Sequence, residues 1–352
     1  MSLRQLTEHA GEWLRGAGPH NEVVISSRIR LARNLAGYSF VNRSTPRMQA
    51  EVLERCREAI TSQNMGDEMF WVDLRDCPEI DRQLLVERHL ISRNQAAVDK
   101  VPRAVAIGAQ ETFSIMVNEE DQLRIQVLRS GMQLGPAFDQ INHIDDALES
   151  KLDYAFSQQW GYLTACPTNV GTGIRVSVML HLPALQLTGE IEKVRRAARD
   201  MHLAVRGLFG EGSEAMGDLF QISNQTTLGR GEEEILADFE RTIVPQIISY
   251  EQQARQALIK HRTDQLDDKI WRAWGLLTHA RTMSTEEVLQ LLSHLRLGVN
   301  LGRIDTVNIR TINELFLLTQ PAHLQKMSGG EMDQSARREA RAKLIRRKLG
   351  TR

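Results

Sequence analysis

Cysteine is scarce in this chain. Cys56, Cys77 and Cys166 are the only three in 352 residues. An odd set without a CxxC spacing supports neither a disulfide framework nor a thiolate zinc site. Long apolar runs are missing too. None approaches the ~18 residues a bilayer span needs, and the first twenty residues lack a signal peptide's apolar core. A reducing cytoplasm is therefore the expected location, with no membrane partner. Several familiar motifs are also absent: a GxxxxGK(S/T) loop, a Gly-rich strand loop with HRD and DFG, HExxH and GxSxG. These absences argue against a P-loop NTPase, an ordinary protein kinase, a zinc peptidase and an α/β-hydrolase. Even lysine is rare, with eight against 36 arginines.

The rest of the composition is that of a globular protein, 41 % hydrophobic and 25 % charged, with a formal net charge of −1. The length suits about two domains. Leu3, Leu6, Ala10, Trp13 and Leu14 predict an opening helix, and Val23 to Ile25 reads as a short buried strand. Thr45 and Pro46 open a second helix as cap and first-turn proline, with Val52, Leu53, Cys56, Ala59 and Ile60 on its apolar face. Between Ala104 and Leu128 the period changes, and three β-type runs predict an antiparallel meander. Helix returns over 135–157, followed by strands at Val205 to Phe209 and Leu219 to Ile222. From about residue 231 the pattern is helical. Pro245 should kink the stripe Ile235, Phe239, Ile243 and Ile247, and Ser284 with Glu287 forms a capping box. The expectation is an α+β domain over residues 1–258 and an all-helical one over 259–352.

The chemistry-bearing residues are arginines in unusual company. Arg28 and Arg30 follow the first strand, two apart, and point the same way from extended backbone. Arg124 follows the acidic turn Glu119-Glu120-Asp121, Arg175 follows Gly171-Thr172-Gly173, and Arg206 lies inside an apolar strand. Each alone reads more readily as a solvated or salt-bridged arginine. Together they suggest a surface that grips polyphosphate with planar, permanently charged forks in place of a Gly-rich nest. Glu120 in its turn and Glu211 between two glycines read either as carboxylates presented to a ligand or as an acidic turn and a polar loop. Cys166, ahead of a Pro- and Gly-rich loop, reads either as a partly exposed reactive thiol or as a small buried hydrophobe.

Five ordered blocks go further: SSRIRLARN (26–34), NEEDQLRI (118–125), CPTNVGTGIR (166–175), RGLFGEGSE (206–214) and FQISNQTTLG (220–229). They resemble the signature blocks of the phosphagen (guanidino) kinases, the family of creatine and arginine kinases. The closer resemblance, extending to the C-terminus, is to the bacterial protein-arginine kinases of that superfamily. Kinases of free guanidino metabolites carry a sizeable helical N-terminal domain that helps enclose the substrate. Here the first block begins at residue 26, which leaves room for one helix at most. The resemblance therefore leads us to expect a site without that cover, open enough to admit an arginine attached to a protein.

The resemblance implies a catalytic domain built on an antiparallel sheet flanked by helices, with ATP and Mg2+ as phosphoryl donor. It implies a nucleotide cradle of Ser26, Ser27, Arg28, Ile29, Arg30, His89, Arg124, Arg175, Val176, Ser177, Val178, Met179, Arg206, Gly207, Leu208, Phe209, Gly210 and Glu211. Glu211 matches the family's general base, Glu120 the anchor of the acceptor guanidinium, and Cys166 the reactive cysteine. Magnesium needs no carboxylate cage of its own if phosphates and water supply most ligands. In the tail, Arg337, Arg341 and Ala342 match a motif that forms a phosphoarginine-binding allosteric pocket, but Arg338 stands where that motif has Asp. Without the resemblance this is a basic helix, and nucleic acid is not an expected partner. Gln122 stands where these kinases often have His.

The expected activity is ATP-dependent phosphorylation of protein arginines, feeding regulated degradation and relieving heat-shock repression. Expected partners are proteins presenting arginines, a heat-shock repressor, an activator protein, a protease chaperone and a second copy of the chain. The alternatives are a kinase of free arginine or another small guanidino compound, and a non-catalytic phosphoarginine-binding regulator.

Overall fold

A computed structural model describes residues 5–8, 10–97, 101–208 and 216–350. At its centre is one antiparallel sheet. The strands are β1 (Val24–Arg33), β2 (Met69–Asp73), β3 (Ala104–Gly108), β4 (Phe113–Val117), β5 (Leu123–Ser130), β6 (Phe156–Ser157), β7 (Gly161–Tyr162), β8 (Ile174–His181), β9 (Leu203–Arg206) and β10 (Leu219–Asn224). Eight of them lie in the order β2-β3-β4-β5-β1-β8-β10-β9, while β6 and β7 form a separate hairpin. The helices before and between the strands are α1 (Pro46–Ser62), α2 (Glu79–Glu87), α3 (Arg93–Ala96), α4 (Leu134–Glu149), α5 (Pro183–Thr188) and α6 (Ile191–Asp200). The C-terminal part is helical: α7 (Glu232–Asp238), α8 (Val244–His261), α9 (Thr263–His279), α10 (Thr285–Asn300), α11 (Ile309–Leu318), α12 (Pro321–Ser328) and α13 (Gln334–Lys348). This is the α+β architecture the sequence predicts, an antiparallel sheet flanked by helices.

The centre of the sheet is β1, paired with β5 on one side and β8 on the other. Alternation sends Ser27, Ile29 and Leu31 to one face, all buried, and Arg28 and Arg30 to the other. Helix α4 covers the apolar face with Leu134, Ala137, Ile141, Ile144 and Leu148, all fully buried. Each of the leucines and isoleucines is worth about 1.5–3 kcal/mol of burial. Ser27 ties the two layers together: its Oγ donates to the Gly131 carbonyl at 2.8 Å and accepts from the Gln133 N–H at the start of α4. The C-terminal helices are bound to the same sheet. Fully buried Arg296 of α10 donates to the Glu22 carbonyl, and its guanidinium meets the His181 ring of β8 at 2.9 Å.

Several elements differ from the periodic reading, each for a local reason. The opening helix is two 3-10 turns, Gln5–Glu8 and Glu12–Leu14. Between them Gly11 packs so tightly on the Glu111 carboxylate that a Cβ would collide with it. β1 runs on through the arginines because strands pair along both of its edges. β2 and β8 were not legible as strands, and the helix after β5 stops at Glu149, before the β6–β7 hairpin. Pro245 sits in the first turn of α8, where no N–H is needed, and the irregularity falls just before it as a π turn at Phe239–Ile243. Thr45 does cap α1, and Ser284 with Glu287 does form a capping box. No helix among the described residues is long and apolar enough to cross a membrane.

Candidate active site

Strand register gathers the arginines. Directly opposed residues of an antiparallel pair share a face. Arg30 is opposite Arg175 of β8 and Gln126 of β5, Ala32 is opposite Arg124, and Arg28 is opposite Ser177. Gln221 of β10 is opposite both Met179 and Arg206. Arg28, Arg30, Arg124, Arg175 and Arg206 therefore rise from one face across four strands. They line a single cleft of about 860 Å³ together with His89, Glu119, Glu120, Asp121, Cys166, Asn169 and Gln221.

So much like charge perturbs its own members. Burial, followed by the charges of Arg124, Arg175 and Arg206, brings the Arg28 guanidinium down to about 9. Burial, with Arg124, Arg28 and Arg175, pushes Arg30 well below its ordinary value, against an opposing pull from Glu119. Arg28 bonds neutral groups, Nε to Ser177 Oγ at 3.4 Å and Nη2 to Gln221 Oε1 at 2.9 Å. Burial and the nearby Arg28 charge hold the His89 imidazole down to about 3, so it is neutral here. His89 ends α2 in the left-handed region (φ +60°). It meets Trp13 edge-on with ring centroids 4.6 Å apart, and its carbonyl accepts from Gln126 at 2.7 Å.

The acidic turn between β4 and β5 is held by buried side chains on both sides of Glu120. Buried Asn118 adopts φ +58° and donates to the Gln49 and Pro102 carbonyls. Glu119 accepts from Arg124 at 2.7 Å and from Ser92 at 2.6 Å. Its burial favours protonation, but Arg124, Ser92 and the Glu120 N–H outweigh that and hold it at about 2. Asp121 accepts from Asn34 at 2.7 Å and from the Ala165 N–H at 2.6 Å, joining the turn to the Cys166 loop. Gln122 accepts from the Leu35 N–H and donates to the Ser39 carbonyl, so an amide does the tying here. Exposed Glu120 lines the same cleft as a half-buried Cys166, whose Sγ is 3.1 Å from Thr168 Oγ1.

Not every expected cradle residue reaches the cleft. Ser27, Ile29, Val176 and Val178 alternate to the covered face and are buried there. A nucleotide could meet only their backbone. Ser26, Ser177 and Met179 share the arginine face and border a small cavity beside Arg28 and His89. Leu208 is core, and Gly207 precedes it beyond the end of β9. Phe209, Gly210 and Glu211 lie outside the described residues. In the tail, which was not expected at the cleft, Arg341 is buried and donates to the Thr319 and Met283 carbonyls, Arg337 donates to the Met332 carbonyl, and Ala342 is core. Residues missed from sequence are Glu119, Asp121, Asn34, Gln126 and Gln221. A signal existed for four of them, since Glu119, Asp121, Asn34 and Gln221 all lie within the five blocks.

A face of arginines meeting carboxylate and thiol in one cleft defines a phosphotransferase that handles a polyphosphate donor. Comparison with known proteins is consistent with that geometry. Residues 51–254 match the ATP:guanido phosphotransferase C-terminal catalytic domain, and residues 263–352 match the protein-arginine kinase McsB C-terminal domain. The chain belongs to the protein-arginine kinase family of guanido phosphotransferases. It is 46 % identical to the protein-arginine kinase of Halothermothrix orenii over 99 % of each chain, and 47 % identical to that of Symbiobacterium thermophilum, also over 99 % of each. Among solved structures, the duplicated taurocyamine kinase of Schistosoma mansoni with bound transition state analog components aligns with a TM-score of 0.61 and 25 % identity. That match covers 72 % of this chain and 35 % of the duplicated one. A lombricine kinase aligns with a TM-score of 0.59 and 25 % identity, over 69 % of this chain and 71 % of its own.

Proposed function

We propose that this protein transfers the γ-phosphoryl group of Mg-ATP to arginine side chains of proteins. The observation that carries the proposal is the single cleft shared by Arg28, Arg30, Arg124, Arg175, Arg206, Glu120 and Cys166. Crowded, half-buried guanidinium groups with depressed pKa values suit a polyphosphate, whose charge favours their protonated state. Magnesium, held chiefly by nucleotide oxygens and water, offsets further phosphate charge.

The acceptor poses the harder problem, because a guanidinium is protonated at any ordinary pH and its nitrogen is a poor nucleophile. Glu120 holds it by paired hydrogen bonds, and Glu211 takes the proton as the P–N bond forms and the bond to the β-phosphate oxygen breaks. Cys166 orients the acceptor and makes the enzyme sensitive to oxidation. The family resemblance further supports a cytoplasmic homodimer that marks proteins for regulated degradation and relieves heat-shock repression. On this reading its partners are a heat-shock repressor, an activator protein and a protease chaperone.

The test is incubation with Mg-ATP and either an unfolded protein or free arginine, read by mass spectrometry at neutral pH for acid-labile phosphate on arginine. Phosphate on the protein is the expected result. Glu211→Gln should lower the rate about 10²–10⁴-fold. Turnover of free arginine with no protein phosphorylation would overturn the proposal.

A further inference from the structure

We infer that an apolar rim beside the acceptor end of the cleft docks the polypeptide flanking the target arginine. The inference rests on the reading of the protein as a kinase of protein-borne arginines, and names the substrate class: arginines in extended, apolar segments.

Phe156, Trp160 and Leu228 are large apolar side chains left 58 %, 48 % and 50 % exposed. They come from two segments about seventy residues apart in sequence, yet one backbone cluster holds them. Gly161 (φ +72°) and Gly171 (φ +112°) are pressed together so closely that a Cβ on Gly161 would strike the Gly171 carbonyl. A Cβ on Gly171 would lie 2.9 Å from Leu228 Cα. Tyr162 and Gly171 exchange backbone hydrogen bonds, and Thr227 Oγ1 donates to the Val170 carbonyl at 2.7 Å. The hairpin is rooted as well. Phe156 meets Tyr162 edge-on at 5.3 Å, and the Arg33 guanidinium sits 3.6 Å from the centre of the Tyr162 ring.

The same cluster belongs to the cleft wall. Cys166, Thr168, Asn169 and Gly173 line the cleft, and the Ala165 N–H bonds Asp121 next to Glu120. The rim is therefore continuous with the end of the cleft where the acceptor carboxylate stands. Three large, exposed apolar groups carried by the backbone that walls a polar site mark an interaction surface. An extended chain advances about 3.3 Å per residue, so the few residues beside a held arginine can lie along the rim. Free arginine has nothing to place there, whereas an unfolded protein offers apolar neighbours.

The test compares two peptides that differ only in the residues around one arginine, Leu and Phe in one and Gly and Ser in the other, with kcat and KM measured under saturating Mg-ATP. The wild type should favour the apolar peptide about tenfold through KM, the scale of one well-packed aromatic contact. The double variant Phe156→Ser/Trp160→Ser should lose that preference yet treat the Gly/Ser peptide as the wild type does, which shows an intact fold and site. Leu228→Ser should lose part of it. Equal KM values in the wild type, or a preference that survives in the double variant, would overturn the docking surface and leave the kinase reading standing. Phosphorylation of free arginine but of neither peptide would overturn both. Dissociation of a wild-type dimer by these substitutions, with the peptide preference unchanged, would assign the rim to a second copy and overturn the inference.

Discussion

The two sides of the sheet treat one side chain in opposite ways. Of the deeply buried arginines outside the cleft, three meet carboxylates, while Arg296 and Arg341 donate to backbone carbonyls. Arg33 bonds Asp145 at 2.6 Å, Arg88 grips both oxygens of Glu111, and Arg255 bonds Glu251 at 2.8 Å. On the open face, Arg28 and Arg30 stand among Arg124, Arg175 and Arg206, and their pKa values fall. A buried ion pair is a structural device whose charges cancel. A crowd of like charges in a cleft is instead an unfavourable arrangement that an incoming polyanion relieves. The chain is close to neutral overall, so what marks the site is this segregation and not the arginine count.

The largest expected effect tests the open face. Arg30→Met should reduce phosphoryl transfer about 10³–10⁵-fold, the range for arginines that stabilise transferring phosphoryl groups. Without nucleotide, the same variant should resist urea slightly better than the wild type, by about 1 kcal/mol, because repulsion has been removed. A loss of nucleotide-free stability would mean that Arg30 is a structural arginine and the contrast is false.

The carboxylate-paired arginines should respond the other way. Arg88 is fully buried, and Arg88→Met strands the Glu111 carboxylate, which is also buried. The expected cost is about 3–5 kcal/mol in urea denaturation. Glu111→Gln with Arg88→Met should recover part of it, because no charge is then left alone. If the single variant stays within about 1 kcal/mol of wild type, the pair is not the fastening described here.

Much of this was legible in sequence, and what was not has identifiable causes. The meander was readable because its strands are short apolar runs set apart by turn residues, one of the turns acidic. β8 was hidden because Arg175 interrupts an apolar run just after three residues of glycine-rich turn, so a central strand looked like a loop. Five arginines could be suspected individually, but their common face depends on register between strands distant in sequence, which no local pattern encodes. The opposite error came from reading blocks as units. In an extended segment every second side chain points away, so Ser27, Ile29, Val176 and Val178 belong to the core although their neighbours line the cleft. The anchoring work of Asp121 was invisible for the same reason, since its partners Asn34 and Ala165 are remote in the chain.

His89 stands between the two regimes and gives the smallest but sharpest test. Its predecessor Arg88 is paired, while His89 itself faces Arg28 and is held neutral with a pKa near 3, against 6.5 in the unfolded chain. A group whose native pKa is depressed contributes stability above its unfolded pKa, and that contribution is lost as the pH falls. Between pH 6.5 and about 3 the unfolded state takes up a proton that the native state refuses. The native state should therefore lose roughly 1.4 kcal/mol per pH unit across that window from this residue. His89→Asn removes the titration, so its stability profile should be shallower than that of the wild type by that slope and parallel above pH 7. A bound triphosphate would supply the negative charge that Arg28 and its neighbours lack, so Mg-ATP should narrow the window from its acid side. Parallel profiles for the two proteins throughout, with and without nucleotide, would show that the charge of the open face does not reach His89.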